Sequence, residues 1–289
     1  MRFAKWQGLG NDYLVVDEQE LPRQADGSRA LTDDQVRAIC NRHFGVGGDG
    51  ILVMGPATGD ADAMMLIHNP DGSQAEMCGN GIRMAARWLL NEGRVAPGAD
   101  GSFTIATAGG PMRPRMEEAN RVRVDMGLVR TDGLDEVTIA DGSSWRGRVV
   151  DVGNPHFVIE HNPDAVALEQ TGRQIERHAR FPNRTNVEFV ERLGDAHVRM
   201  RVWERGVGET LACGTGACAV GLTAVLDLGC TSPVTVSLPG GDLVIEVTPE
   251  QHVFMTGPAE EVYRGELDVE QVTAHAASAL AAAHEEAIA

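Results

Sequence analysis

The chain has 289 residues, 43 % of them hydrophobic, which is enough for two domains of ordinary size with cores of their own. No apolar run reaches the roughly 18 residues of a membrane span, and Met1 to Trp6 lack the apolar stretch of a signal peptide. A formal net charge of −17 repels phosphate backbones and anionic lipid, so the expectation is a cytoplasmic protein with neither nucleic acid nor membrane as partner.

Taken in chain order, the first strand signal is Leu14 to Val16, directly after Gly10-Asn11-Asp12-Tyr13. A second, Ile51 to Met54, follows Gly45-Val46-Gly47-Gly48-Asp49-Gly50. Those glycines satisfy G-x-G-x-x-G, but a dinucleotide fingerprint must open a helix and this one runs into a strand, so that reading is rejected. After Cys78-Gly79-Asn80-Gly81 the period changes: Ile82, Ala85, Ala86, Leu89 and Leu90 predict an amphipathic helix that Gly93 closes. Val122 to Met126 reads as another strand. Following Cys213-Gly214-Thr215-Gly216, the run Ala217 to Leu228 is apolar almost all round and ends at Gly229, which predicts a helix buried in a core. The Ala- and Glu-rich stretch from Asp268 to Ala289, with His275 and His284, reads as a surface or frayed helix; 271–289 is set apart as a helical or disordered tail.

The chain says several things twice. Gly10-Asn11 with an aromatic, an apolar run and Asp17 returns as Gly153-Asn154 with Phe157, an apolar run and Glu160. Phe44 to Val53 is echoed by Phe181 to Val190, Cys78-Gly79-Asn80-Gly81 by Cys213-Gly214-Thr215-Gly216, and Gly109-Gly110 by Gly240-Gly241. The order is kept and the spacing drifts slowly, as loop differences in a duplicated domain produce. The expected fold is α+β, with two pseudo-symmetric domains, each a β-barrel-like sheet wrapped around a central helix. The expected boundaries are 1–118, completed by about 260–270, and 119–259.

The duplication singles out two of the five cysteines, Cys40, Cys78, Cys213, Cys218 and Cys230. An odd count without a C-x-x-C pair argues against a disulfide framework or a zinc site. Cys78 and Cys213 each precede Gly-x-Gly and a helix. The first amides of a helix lack intrahelical partners and carry the positive end of the dipole, which favours an anion and, for a cysteine there, the thiolate. Two such thiols suit inversion at a carbon bearing an acidic hydrogen, one removing a proton from one face and the other delivering one to the opposite face. Lys5 is the only lysine, so no residue context suggests a pyridoxal Schiff base, and neither cofactor nor metal is expected.

At this point the residues resemble the diaminopimelate epimerase family. The matching segments are Gly8 to Tyr13, Asn69-Pro70-Asp71-Gly72-Ser73 leading to Cys78, Gly153-Asn154-Pro155-His156, and Glu204 to Thr210 leading to Cys213. The resemblance implies interconversion of LL- and meso-2,6-diaminopimelate on the route to lysine and peptidoglycan, with Cys78 and Cys213 as the acid/base thiols. It implies that the amides of Gly79, Asn80, Gly214 and Thr215 hold the reacting carboxylate. Asn11, Asn69, Asn154, Asn186, Glu204 and Arg205 would bind the remaining polar groups. Beside the resemblance, Glu204 is a candidate to tune a thiol, and His156 either tunes one or is structural. A homodimer is compatible with this reading. The chain departs from the family at Trp6-Gln7, where Met-His is common, and at Gly50, where some members carry a ligand-contacting Gln. The competing readings are a racemase for proline or hydroxyproline, and a thiol switch.

Overall fold

A computed structural model describes every residue except Thr58, Met77, Ala119 and Ala289; of residues 280–288 it describes the backbone alone. The chain divides into two compact units, Met1–Val122 with Ala259–Ala289, and Arg123–Pro258. In chain order the elements are β1 (Arg2–Gly8), β2 (Asn11–Asp17), α1 (Asp33–Cys40), β3 (Ile51–Gly55), β4 (Ala63–His68), β5 (Gln74–Ala75), α2 (Gly79–Asn91), β6 (Ile105–Thr107), β7 (Gly110–Met112) and β8 (Pro114–Met116). Then come β9 (Arg121–Leu128), β10 (Arg130–Thr138), β11 (Ser144–Asp151), β12 (Pro155–Glu160), α3 (Leu168–Glu176), β13 (Asn186–Gly194), β14 (His197–Glu204), β15 (Gly208–Thr210) and α4 (Gly214–Leu226). The chain ends with β16 (Val234–Leu238), β17 (Gly241–Val247), β18 (His252–Pro258), β19 (Glu260–Glu266) and α5 (Val269–Ile288).

The sheet of the first unit runs β19-β1-β2-β3-β4-β6-β7, with β5 beside β4. That of the second runs β10-β11-β12-β13-β14-β16-β17-β18-β9, with β15 beside β14. The duplication is visible in the parallel pairs, which cannot be joined by a hairpin and need a crossover. Leu14 lies opposite Ile51 in β2–β3 as Phe157 lies opposite Val187 in β12–β13, with α1 and α3 as the crossovers. Ala63 lies opposite Ile105 in β4–β6 as His197 lies opposite Thr235 in β14–β16, and here the crossovers are α2 and α4. Each cysteine therefore stands where the chain leaves a strand to enter the helix that its sheet wraps.

Local sequence accounts for these elements. β17 alternates cleanly, with Leu243, Ile245 and Val247 inward between half-exposed neighbours. Thr32 and Gln35 close a reciprocal capping box on α1. The α2 helix runs to Asn91, and Gly93, at φ 64°, ends it through paired bonds from Gly93 N–H to Leu90 O and from Arg94 N–H to Leu89 O. The predicted polar face of α2 is covered as well: Arg83 and Met84 are fully buried, because the helix sits inside its sheet rather than upon it. The α4 helix ends at Leu226, two residues short of the expected Leu228, with Gly229 at φ 66° beyond it. Its small residues set its distance from the sheet: a Cβ at Gly221 would stand 2.4 Å from Ile245 Cγ2.

Two satellite cores support the sheets. In the first unit Leu31, Val36 and Ile39 pack with Leu267 and Val269, so α5 begins as part of the core. Ala276 is buried too, while the side chains of 280–289, His284 among them, lie outside the described residues. In the second unit Leu168 and Ile175 of α3 pack on Phe157, Phe181, Val187 and Phe189.

Candidate active site

In the first unit Cys78 is the N-cap of α2, in extended conformation, and its sulfur accepts from the Gly81 N–H at 3.3 Å. The Tyr13 hydroxyl lies 3.5 Å from the same sulfur. Around this turn a polar chain runs from side chain to side chain. Asn80 Nδ2 donates to Asn11 Oδ1 at 3.1 Å, and Asn11 Nδ2 donates to Asp49 Oδ2 at 2.7 Å. Asp49 also accepts from the Asp12 N–H and pairs with Arg42, which pairs in turn with Asp12 at 2.6 Å. Lys5, buried, pairs with Asp12 at 2.7 Å and donates to the Gly47 carbonyl. Burial acts to raise the Asp12 carboxyl, but hydrogen bonds and charge from Arg42 and Lys5 outweigh it and hold the group below the usual carboxylate range. Asn69 belongs to the β4–β5 turn, where its amide donates to Ser73 Oγ at 3.0 Å.

The second unit repeats this arrangement with different chemistry. Cys213 is the N-cap of α4 and accepts from the Gly216 N–H at 3.3 Å. Asn154 Nδ2 donates to Thr215 Oγ1 at 3.3 Å, in the place that the Asn11–Asn80 bond has in the first unit. Behind Asn154 stands a fully buried pair: His156 Nε2 meets Asn154 Oδ1 at 2.9 Å, and His156 Nδ1 meets Glu188 Oε1 at 2.7 Å. Thr210 Oγ1 donates to Glu204, and Thr215 Oγ1 lies 3.6 Å from the Cys213 sulfur. Asn186 spends its amide on backbone, donating to Pro155 O at 2.9 Å and accepting from Arg205 N–H at 2.9 Å. The exposed Arg205 guanidinium donates to Asn183 O at 3.3 Å.

The electrostatics of Cys213 correct a sequence expectation. A helix N-terminus favours thiolate, yet burial pushes the Cys213 thiol well above its ordinary range, and the charges of Glu204 and Glu188 push it further. Hydrogen bonds from Thr215 and Gly216 oppose that rise without cancelling it. Glu204 is raised as well, by burial first, with hydrogen bonds to Thr210 and Cys213 acting against it. Among the described residues no group of three or more His, Cys, Asp or Glu side chains could hold a metal ion.

The structure brings Asn11 and Asn80 together at Cys78, and Asn154, His156, Glu204 and Thr215 together at Cys213. Sequence reasoning did not single out Tyr13, Asp49, Lys5, Thr210 or Glu188. One signal was available for two of them, since Asp49 and Glu188 both fall inside the segments Phe44–Val53 and Phe181–Val190 that echo each other.

Two domains, each a sheet wound about a central helix, make up the fold. Solved structures share it: a hydroxyproline epimerase from Agrobacterium vitis, at TM-score 0.66 and 15 % identity, covers 92 % of this chain and 91 % of its own. A Bacillus anthracis phenazine biosynthesis protein of the PhzF family, at TM-score 0.66 and 14 % identity, covers 93 % of this chain and 99 % of its own. The chain belongs to the diaminopimelate epimerase family, whose pattern it matches over residues 3–131 and 148–262. A diaminopimelate epimerase of Synechococcus sp. (strain JA-3-3Ab) is 43 % identical over 92 % of this chain and 97 % of its own length. The chloroplastic diaminopimelate epimerase of Oryza sativa subsp. japonica is 40 % identical over 92 % of this chain and 79 % of its own.

Proposed function

We propose that this chain is a diaminopimelate epimerase, interconverting the LL and meso forms of 2,6-diaminopimelate through two thiols, in lysine and peptidoglycan precursor synthesis. The observation that carries the reading is the duplicated cysteine N-cap in a chain that matches this family along most of its length. The site is cytoplasmic in this reading, where cysteines stay reduced.

Cys213, held protonated by burial and by Glu204 and Glu188, is the resting acid. In that direction of the reaction Cys78 is the base. Cys78 sulfur takes the α-proton and becomes a thiol, and the electron pair left on carbon spreads into the carboxylate. The Cys213 thiol delivers its proton to the opposite face and is left as thiolate, so the site is set for the reverse direction. The amides of Gly79, Asn80, Gly214 and Thr215 offer donors to the carboxylate as its charge grows, which is the term that matters most for so weak a carbon acid. Asn11, Asn69, Asn154, Glu204 and Arg205 serve the distal amino-acid end, Asn186 shapes the Arg205 loop, and His156 steadies Asn154. A substrate with two carboxylates and two ammonium groups suits this set of amides, one acid and one guanidinium better than proline does.

The test uses the reduced protein with LL-diaminopimelate in deuterated water and no added cofactor. The meso isomer should form with one solvent deuterium at the inverted α-carbon, and Cys78→Ala and Cys213→Ala should each abolish it. A wild-type protein that returns unlabelled LL substrate would sink the reading.

A further inference from the structure

We propose that Tyr13 is a functional partner of Cys78: its hydroxyl donates a hydrogen bond to the Cys78 sulfur and favours the charged form that accepts a proton. The proposal rests on the reading of Cys78 as one of the acid/base thiols.

Three observations carry it. The Tyr13 side chain is buried, 6 % exposed, and its hydroxyl lies 3.5 Å from Cys78 Sγ, within reach for a bond to sulfur. The same sulfur accepts the Gly81 N–H at 3.3 Å, so an O–H and an N–H donor converge on one atom. The third observation explains how the ring fits. A Cβ at Gly50 would stand 2.5 Å from Tyr13 Cε1 and 2.4 Å from the His68 carbonyl oxygen, and the backbone at Gly50 has φ +153°. A side chain at 50 and the tyrosine ring compete for one space. Gly50 yields it, and the ring that takes it ends in a hydroxyl aimed at the thiol. Gly50 and Tyr13 are thus one device.

The two thiols are equipped unequally as a result. Cys213 is buried and has carboxylates for neighbours, and burial first and charge second keep a proton on sulfur; Cys78 has a phenol, which can donate to sulfur once the proton is gone. An ordinary thiol is mostly protonated near neutrality, so a donor that stabilises the thiolate enlarges the fraction able to act as base. The bond is made with the thiolate and weakens when Cys78 takes up the α-proton; no covalent bond to Tyr13 forms or breaks.

The experiment is Tyr13→Phe in the full chain, which keeps the ring that fills the space beside Gly50. Alkylation of each cysteine by iodoacetamide near neutral pH is followed by peptide mapping, and epimerisation of diaminopimelate is followed in parallel. Cys78 should react roughly three- to tenfold more slowly than in the wild type, with Cys213 keeping its own rate. Turnover should fall about tenfold in kcat with KM unchanged, a split that a packing role would not produce. Alkylation of Cys78 in the variant at the wild-type rate or faster would overturn the proposal. If the wild type fails to epimerise diaminopimelate, the functional reading falls, while the alkylation rates still decide the role of Tyr13.

Discussion

At the scale of single residues, the polar groups behind the Cys78 turn are tied to stability as well as to the site. Asp12 joins Lys5 and Arg42, and its folded carboxyl is held below its ordinary range. A group depressed on folding contributes stability above its unfolded pKa, near 4, and loses that contribution as pH falls through the lower folded value. Asp12→Asn strips the buried Lys5 ammonium of its carboxylate and should cost about 3–5 kcal/mol at pH 7 in urea unfolding. The gap between variant and wild type should begin to narrow below about pH 4, where the unfolded carboxyl gains its proton, and close further as the folded one follows at lower pH. A gap that stayed constant through that range would remove Asp12 as its source. The cysteines and the asparagines beside them were legible in the sequence because a repeat marks them. Lys5 was not, since nothing local to it announces a partner, and the repeated segment that holds Asp49 does not tell that it meets Asn11 from 38 positions away. The direction at Cys213 was missed for a related reason, since the helix end is visible in sequence whereas burial and two carboxylates from other strands are not.

Among the elements, the two wrapped helices carry the most consequence. Changes of period located both, and the start of each is where the Gly-x-Gly turns put it. How fully they are enclosed was legible for α4, which is apolar all round, but not for α2, whose Arg83 reads as a solvated residue and is fully buried. The α4 helix lies so near β17 that Gly221 has no room for a side chain. Gly221→Val must push α4 or Ile245 aside, with an expected loss of about 1–3 kcal/mol. Because Cys213 caps the same helix, epimerase activity should fall by more than the lost folded fraction explains. Thermal unfolding and single-turnover rates on the folded protein separate the two effects. Full activity per folded molecule would show that the α4 cap does not feel the shift.

At the scale of the whole molecule, the duplication was the sequence's main message, and the sheets bear it out pair by pair in their parallel strands and crossovers. The return of the chain to its first unit through β19 is physically subtle: β19 is exposed along most of its length and carries no strong alternation. The α5 helix that follows reads by composition as a surface helix, yet Val269 and Ala276 are buried and Leu267 and Val269 close a core over Val36 and Ile39. A chain ending after Ala279 keeps Leu267, Val269 and Ala276 and should hold that core together. One ending after Asp268 should expose that core, lower Tm and bind a hydrophobic dye. Equal Tm for both truncations would mean that α5 lends no support to its unit.

The solitary lysine has one further consequence. Its ε-amine, shielded and held by Asp12 and Gly47, is masked from acylating reagents while the fold persists. With no other lysine in the chain, each new ε-amide counts one opening of the polar cluster behind Cys78. The protein thus carries a native chemical clock for local unfolding beside the thiol, readable as a single mass increment on one peptide.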